Sequence, residues 1–339
     1  MRVVRRHGYA VIALLMSGAG LAACHRRHID ESAIARTDEV DTVGPDVSPA
    51  PNRSVVVARG RGPIAVGPSS IAFTNQYSGG SNDNELLELS KNGGVPALRA
   101  KVHFPRGFAL GEEAFYFLDE GPFTLYRDTD NGTTVLAGDK YYAAYWKDHD
   151  PIRVRDGYVY WLSGRTATHE PGIMRIPETG GVAVLVLEVQ GGANGLDVDA
   201  ARIYVTTRDG VLSASVRGGG VRVLAPADRG MEQVAVNGSH VYWLSFEPKD
   251  IEAVDFVWQL NRVPLTGGAR EVVVGRSKSP HLFTLTSRAI YWVDWHDIHR
   301  ADLDGRNDAT LESADGWAIA ADDANVYFTN GGEIRRLAQ

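Results

Sequence analysis

Three regularities in the sequence predict an all-β fold, a seven-bladed β-propeller of four-stranded antiparallel blades. A six-residue aromatic segment recurs along the chain, a short apolar run precedes each copy, and a turn rich in glycine follows. The clear copies are residues 114–119, 158–163, 202–207, 240–245, 289–294 and 325–330, with a weaker one at 70–75. Their tyrosines fall at 116, 160, 204, 242, 291 and 327, so the steps between them run from 36 to 49 residues. That is the length of one four-stranded blade.

Each element of the unit has its own signal. The apolar runs at 64–66, 107–110, 152–154, 195–198, 234–236, 282–285 and 317–320 predict the first strands. The aromatic segments, alternating and rich in β-branched residues, predict the second strands. Third strands follow at 125–127, 173–175, 260–262, 298–300 and 334–336, each ending in arginine, with divergent copies at 86–88 and 212–214. Gly93-Gly94, Asn131-Gly132, Gly180-Gly181, Gly218-Gly219, Gly267-Gly268 and Asp304-Gly305 then mark hairpins to a fourth strand, because such pairs supply positive φ. The seventh unit reaches Gln339 just after its third strand. Residues 55–58, Val-Val-Val-Ala, are expected to supply its fourth strand, close the ring and remove an exposed edge.

The segment 289–294 (Ala-Ile-Tyr-Trp-Val-Asp), followed by Ile298-His-Arg-Ala-Asp-Leu-Asp-Gly-Arg-Asn, resembles a repeat of the YWTD type. The copies around Tyr160 and Tyr242 share its Tyr-Trp core. In spacing the resemblance spans residues 63–339, and it implies the propeller fold. Propellers of that family usually have six blades, whereas this chain counts seven, so their receptor function is not carried over.

The amino terminus reads as an address. Residues 1–7 are basic, 8–22 carry no charge, and Leu21-Ala22-Ala23-Cys24 follows. This is the pattern of a signal peptide over 1–23, with an apolar run shorter than the roughly 20 residues of a membrane-spanning helix. Leu-Ala-Ala-Cys resembles a bacterial lipobox, which implies lipidation of the Cys24 thiol and anchoring to a membrane of the cell envelope. His25 after the cysteine points to the outer membrane. Cys24 is the sole cysteine, so an intrachain disulfide is impossible. Residues 24–52 read as a lipidated cysteine and disordered tether, and 53–339 as the propeller, expected as a monomer.

Composition narrows the partners. Net charge is −7, and the first 23 residues hold three arginines and no acid, so the remainder is more acidic still. Such a chain lacks the clustered positive charge that sequence-independent nucleic-acid binding requires. No cofactor or metal is expected. Residues 302–308 lack the full calcium-loop pattern and coincide with a hairpin, and Ser81-Asn82-Asp83-Asn84 is a polar loop.

The recurring tyrosines and tryptophans occur at blade spacing and read as core, and the recurring arginines as structural or surface groups. Function is therefore sought where the repeat breaks. In a propeller the loops from strand two to three and from strand four to the next strand one share a face. Insertions at 139–150 and 246–258 are assigned to it. Candidate ligand-binding residues are Tyr145, Trp146, His149, Trp258, His281, Trp295, His296 and Trp317, with Arg106, Asn194 and Glu232 beside them. Aromatics with a few polar groups suit a protein or glycan ligand. The alternative is a lyase or hydrolase using His149, His281 and His296 with Asp148, Asp150 and Glu232 as acids and bases. No nucleophile elbow, His-Glu-x-x-His or glycine-rich phosphate loop accompanies them.

Overall fold

Alternation along a strand decides how the repeats assemble. The structure is a computed structural model; it describes residues 54–75, 84–103, 105–119, 124–138, 152–164, 170–227, 230–248, 256–275, 278, 280–316 and 318–339. The signal peptide, Cys24 and the tether lie outside the described residues, as does the 139–150 insertion.

The strands form seven antiparallel sheets of four. The chain starts with β1 (Val55–Arg59). Blade 1 is β2 (Ile64–Val66), β3 (Ser70–Thr74), β4 (Asn84–Ser90) and β5 (Ala97–Val102). Blade 2 is β6 (Pro105–Leu110), β7 (Phe115–Asp119), β8 (Thr124–Thr129) and β9 (Gly132–Gly138). Blade 3 is β10 (Ile152–Arg155), β11 (Tyr158–Ser163), β12 (Gly172–Pro177) and β13 (Val184–Glu188). Blade 4 is β14 (Ala193–Val198), β15 (Arg202–Thr207), β16 (Gly210–Ser215) and β17 (Arg222–Pro226). Blade 5 is β18 (Gly230–Val236), β19 (His240–Pro248), β20 (Phe256–Pro264) and β21 (Glu271–Val274). Blade 6 is β22 (Leu282–Leu285), β23 (Ala289–Val293), β24 (Asp297–Asp302) and β25 (Ala309–Ser313). Blade 7 is β26 (Ile319–Ala321), β27 (Asn325–Asn330) and β28 (Glu333–Ala338), completed by β1. Each inner strand touches the next, and β26 touches β2, so the ring is closed.

The second strand of each blade is buried on both faces. Its tyrosine (Ala72 in blade 1) packs into the cluster shared with the following blade, and the next residue packs into the cluster shared with the preceding one. Tyr160 belongs with Val205 of blade 4, while Trp161 belongs with Tyr116 of blade 2. Tyr242 lies with Trp292 of blade 6, and Trp243 with Tyr204 of blade 4. The Tyr-Trp pair is thus one ring for each side, as a period of two dictates. The clusters correspond to the interfaces between blades.

The tyrosine has a fixed partner across the sheet. Tyr116, Tyr160, Tyr242, Tyr291 and Tyr327 stand opposite Arg127, Arg175, Arg262, Arg300 and Arg336 of the third strand. Three of these arginines reach the turn between strands three and four of the next blade. Arg175 Nη1 donates to Val216 O at 2.6 Å, Arg262 Nη1 to Leu303 O at 2.9 Å and Arg336 Nη1 to Lys91 O at 3.1 Å. Tyr242 Oη also donates to Leu303 O, at 3.0 Å, and Tyr116 Oη donates to Glu178 of blade 3 at 2.8 Å. The arginine is therefore a strut between blades. Every blade also carries a bulge between strands three and four, beside a fully buried Leu86, Leu125, Ile173, Val211, Leu260, Ile298 or Ile334. An extra residue there increases local twist.

Closure is secured by more than the β1–β28 ladder. Val55 pairs with Arg336 and Arg59 with Glu333. Arg335 donates from Nε to Ser54 Oγ at 2.8 Å and meets Glu312 of blade 6 at 3.0 Å. A chain lacking residues 1–59 leaves β28 as an open edge and should melt well below one lacking only 1–53, which keeps Ser54 and β1. Equal melting temperatures by circular dichroism would show that β1 contributes nothing.

Burial raises the pKa of all six motif tyrosines; for Tyr116 and Tyr204, hydrogen bonds to Glu178 and Asp199 push it further. A raised folded pKa means a contribution that is complete below the unfolded tyrosine value, about 10, and is lost as pH climbs through the folded value. Alkaline titration should therefore give tyrosinate absorbance that rises together with loss of the far-ultraviolet strand signal. Ionisation of these six, followed by site-specific labelling, before the strand signal is lost would contradict this.

Candidate functional site

The inner strands enclose an axial channel of about 330 Å³. One position of each inner strand stands opposite the motif tyrosine or its blade 1 counterpart, Ala72. Read around the ring these positions are Ala65, Ala109, Arg153, Asp197, Ala235, Thr284 and Ala320. The wall is thus small and neutral except for one ion pair on adjacent blades. Arg153 Nε donates to Asp197 Oδ1 at 2.9 Å, and Asp197 Oδ2 accepts from the Val236 amide at 2.7 Å. Gln233 continues the stitching, donating to Phe283 O at 2.8 Å and accepting from its amide at 3.0 Å. Along the channel the inner strands of blades 3 to 6 are therefore linked by side chains, while those of blades 7, 1 and 2 present alanine at this position.

The candidate residues at the mouth meet different fates. His281, just before β22, and Trp295, in the β23–β24 turn, come together. Their rings stack with centroids 3.9 Å apart and planes at 11°. His281 is 6% exposed, whereas Trp295 remains 46% exposed. Trp295 also has φ of 85°, a left-handed conformation that bulky residues avoid, at a cost of about 1–3 kcal/mol. His296 beside it is exposed, and its carbonyl accepts from the Ala314 amide at 2.7 Å.

Trp258 lies apart in the sequence and packs with Phe246, ring centroids 4.7 Å apart, while Phe256 meets Phe246 edge-on at 5.2 Å. The expected interruption at 246–258 is in part regular structure. Phe246, Glu247 and Pro248 pair with Trp258, Val257 and Phe256, lengthening the β19–β20 hairpin. The aromatic pairs across the ladder favour that extension. A Cβ at Gly230 would run into the Phe246 ring, which explains the glycine there.

Two polar candidates have structural employment. Asn194 Nδ2 donates to Met231 O of the next blade at 2.8 Å. Glu232 is buried within β18, and its carbonyl accepts from the Thr206 hydroxyl. Tyr145, Trp146, Asp148, His149, Asp150 and Trp317 lie outside the described residues, as does the side chain of Arg106.

The sequence reading missed a polar clasp under the Trp295 turn. Ligating atoms of Asp294, Asp297 and His299 lie within 4.8 Å of one another. His299 Nε2 meets Asp294 Oδ2 at 2.9 Å, and its Nδ1 meets the Thr310 hydroxyl at 3.2 Å. Asp294 Oδ1 accepts the amides of His296 at 3.1 Å and Asp297 at 3.0 Å, while Ser313 donates to Asp297 at 2.8 Å. These hydrogen bonds account for the cluster as a turn brace. Aspartate three residues before a polar residue in a hairpin is the only sequence signal for it.

Burial would raise the Asp294 carboxyl, but the bonds from His299 and the two amides outweigh it and hold the group below its ordinary value. The stability this confers is present above the unfolded value, about 3.9, and is lost as pH falls through the folded value. Asp294→Asn should therefore lower the melting temperature at neutral pH and blunt its fall in acid. It should also speed hydrogen exchange at the amides of His296 and Asp297. Unchanged exchange would refute the brace.

No protein-family model matches the chain, and no curated protein matches it. Solved structures do. PorZ of Porphyromonas gingivalis, described as an essential bacterial surface component of the type-IX secretion system, matches with a TM-score of 0.59 and 10% identity. The match covers 84% of this chain, which spans only 38% of that one. BamB from Moraxella catarrhalis gives 0.53 and 11% identity, over 84% of this chain and 83% of that one. The N-terminal domain of Nup159 gives 0.52 and 8% identity, over 83% and 90%. At such identities the likeness is one of fold.

Proposed function

We propose that this chain is a lipid-anchored protein of the bacterial cell envelope whose propeller binds a protein or glycan without catalysing a reaction. The observation that carries the reading is Trp295, a strained and exposed aromatic stacked on a buried histidine, in a loop of the face where the repeat breaks. Backbone strain of this kind persists where the surroundings impose it, and it clusters at binding sites. The motif tyrosines and the rings that follow them are occupied by the interfaces between blades. A surface role also suits the fold, since PorZ is itself a bacterial surface component. The acid–base alternative draws less support, because Glu232 is buried inside blade 5 and His281 lies under an indole.

Two experiments test the parts separately. Cys24→Ser should abolish metabolic labelling with a fatty acid and release the protein from the membrane fraction; persistent labelling would refute the anchor. Replacing Trp258 and Trp295 together by alanine should abolish capture of an envelope ligand by the tethered protein while its circular dichroism is unchanged. Undiminished capture would move the binding face elsewhere.

A further inference from the structure

We infer that Asp294, Asp297 and His299 form a binding site for a divalent first-row transition-metal ion at the β23–β24 turn of blade 6; the inference does not depend on the binding reading above. The ligating atoms of the three residues lie within 4.8 Å of one another. Asp294 directly follows β23, and Asp297 and His299 are alternate residues at the start of β24, so they share one face of that strand. Charge marks the cluster out. Elsewhere in the ring carboxylates meet permanent cations: Asp128 meets Arg99, Asp197 meets Arg153, Asp322 meets Lys91 and Glu312 meets Arg335. Among the described residues, neither Asp294 nor Asp297 is paired with a lysine or an arginine, and the basic partner of Asp294 is His299, 5% exposed. A metal ion among them supplies the positive charge that lysine and arginine supply in the other blades.

The donors are arranged for such an ion. His299 Nε2 and Asp294 Oδ2 are 2.9 Å apart. Bonds of about 2.1 Å to one metal place adjacent octahedral donors roughly 3 Å apart. The other nitrogen of His299, Nδ1, meets the Thr310 hydroxyl at 3.2 Å, and the ring lies on Trp292 with centroids 5.0 Å apart and planes at 12°. Asp294 turns Oδ1 to the amides of His296 and Asp297, and Asp297 Oδ1 accepts from Ser313. Outer partners of this kind fix the tautomer and the orientation of metal ligands. The ion takes the place of the proton between His299 Nε2 and Asp294 Oδ2, which goes to solvent, and the rest of the brace stays as it is. The imidazole selects the class of ion. Calcium and magnesium take oxygen donors, whereas zinc, cobalt and manganese accept nitrogen and carboxylate together.

The test uses the full-length protein in detergent, stripped with a chelator and titrated with zinc chloride in a calorimeter. Wild type should bind zinc, and Asp297→Asn and His299→Gln should each bind it at least about tenfold more weakly. Asp297→Asn keeps an acceptor for Ser313, so its metal-free melting temperature should stay near that of the wild type, while the rise that zinc gives the wild type is lost. A measurement on the wild type alone guards against a variant that misfolds. With histidine rings labelled, substoichiometric manganese should broaden the His299 resonances first among the ten histidines. Absence of zinc binding, equal binding by both variants, or first broadening at another histidine overturns the inference.

Discussion

A strand buried on both faces must offer a large side chain to each, and in this ring that requirement falls on the second strand of every blade. In blades 2 to 7 tyrosine serves one side and the following Trp, Phe or Val the other, while blade 1 uses Ala72 and Phe73. Because the two rings are on consecutive residues, neither blade interface can be repacked without disturbing the next. The tyrosine hydroxyl and the arginine opposite then convert packing into orientation. An apolar contact tolerates sliding, but a guanidinium bonded to one carbonyl of the neighbouring turn does not. The blades are thereby set at a defined angle, and the loops at the mouth inherit it.

Much of this was legible because the two periods involved, two within a strand and about forty between blades, are written in the sequence. The closing strand was legible for a simpler reason. A unit with three strands needs a fourth, and Val55–Arg59 is apolar and otherwise unused. The bulges were not legible, since the aliphatic residue beside each looks like any core residue. Nor was the Arg153–Asp197 pair, whose members are 44 residues apart and meet only because adjacent blades put equivalent positions side by side. At the mouth, His281 and Trp295 were each singled out, but their stacking is a tertiary fact. The left-handed backbone of Trp295 was hidden because turn chemistry predicts glycine there, not tryptophan. The hairpin of blade 5 was read as a loop because Pro248 and the acids near it mask a pattern that its aromatics extend.

The channel divides into two unlike arcs. From blade 3 to blade 6 the inner strands are joined by side-chain hydrogen bonds, to a side chain between blades 3 and 4 and to backbone beyond, whereas alanines line the opposite arc. Blade 6 ends the laced arc.

The join between β1 and β28 has a consequence for the order of events in folding. Ser54 and Arg335 are 281 positions apart, and their blade cannot assemble until both are present. For a flexible chain of that length the length-dependent part of the closure entropy is on the order of 5 kcal/mol. Hairpins within blades 1 to 6 connect residues close in sequence, and each blade that forms shortens the effective loop that remains. The ring is thus expected to grow by local steps and lock in one late, non-local step. Until that lock, β1 is an early-made valine strand with no partner, the species in which a chaperone or a neighbouring chain would find its opening.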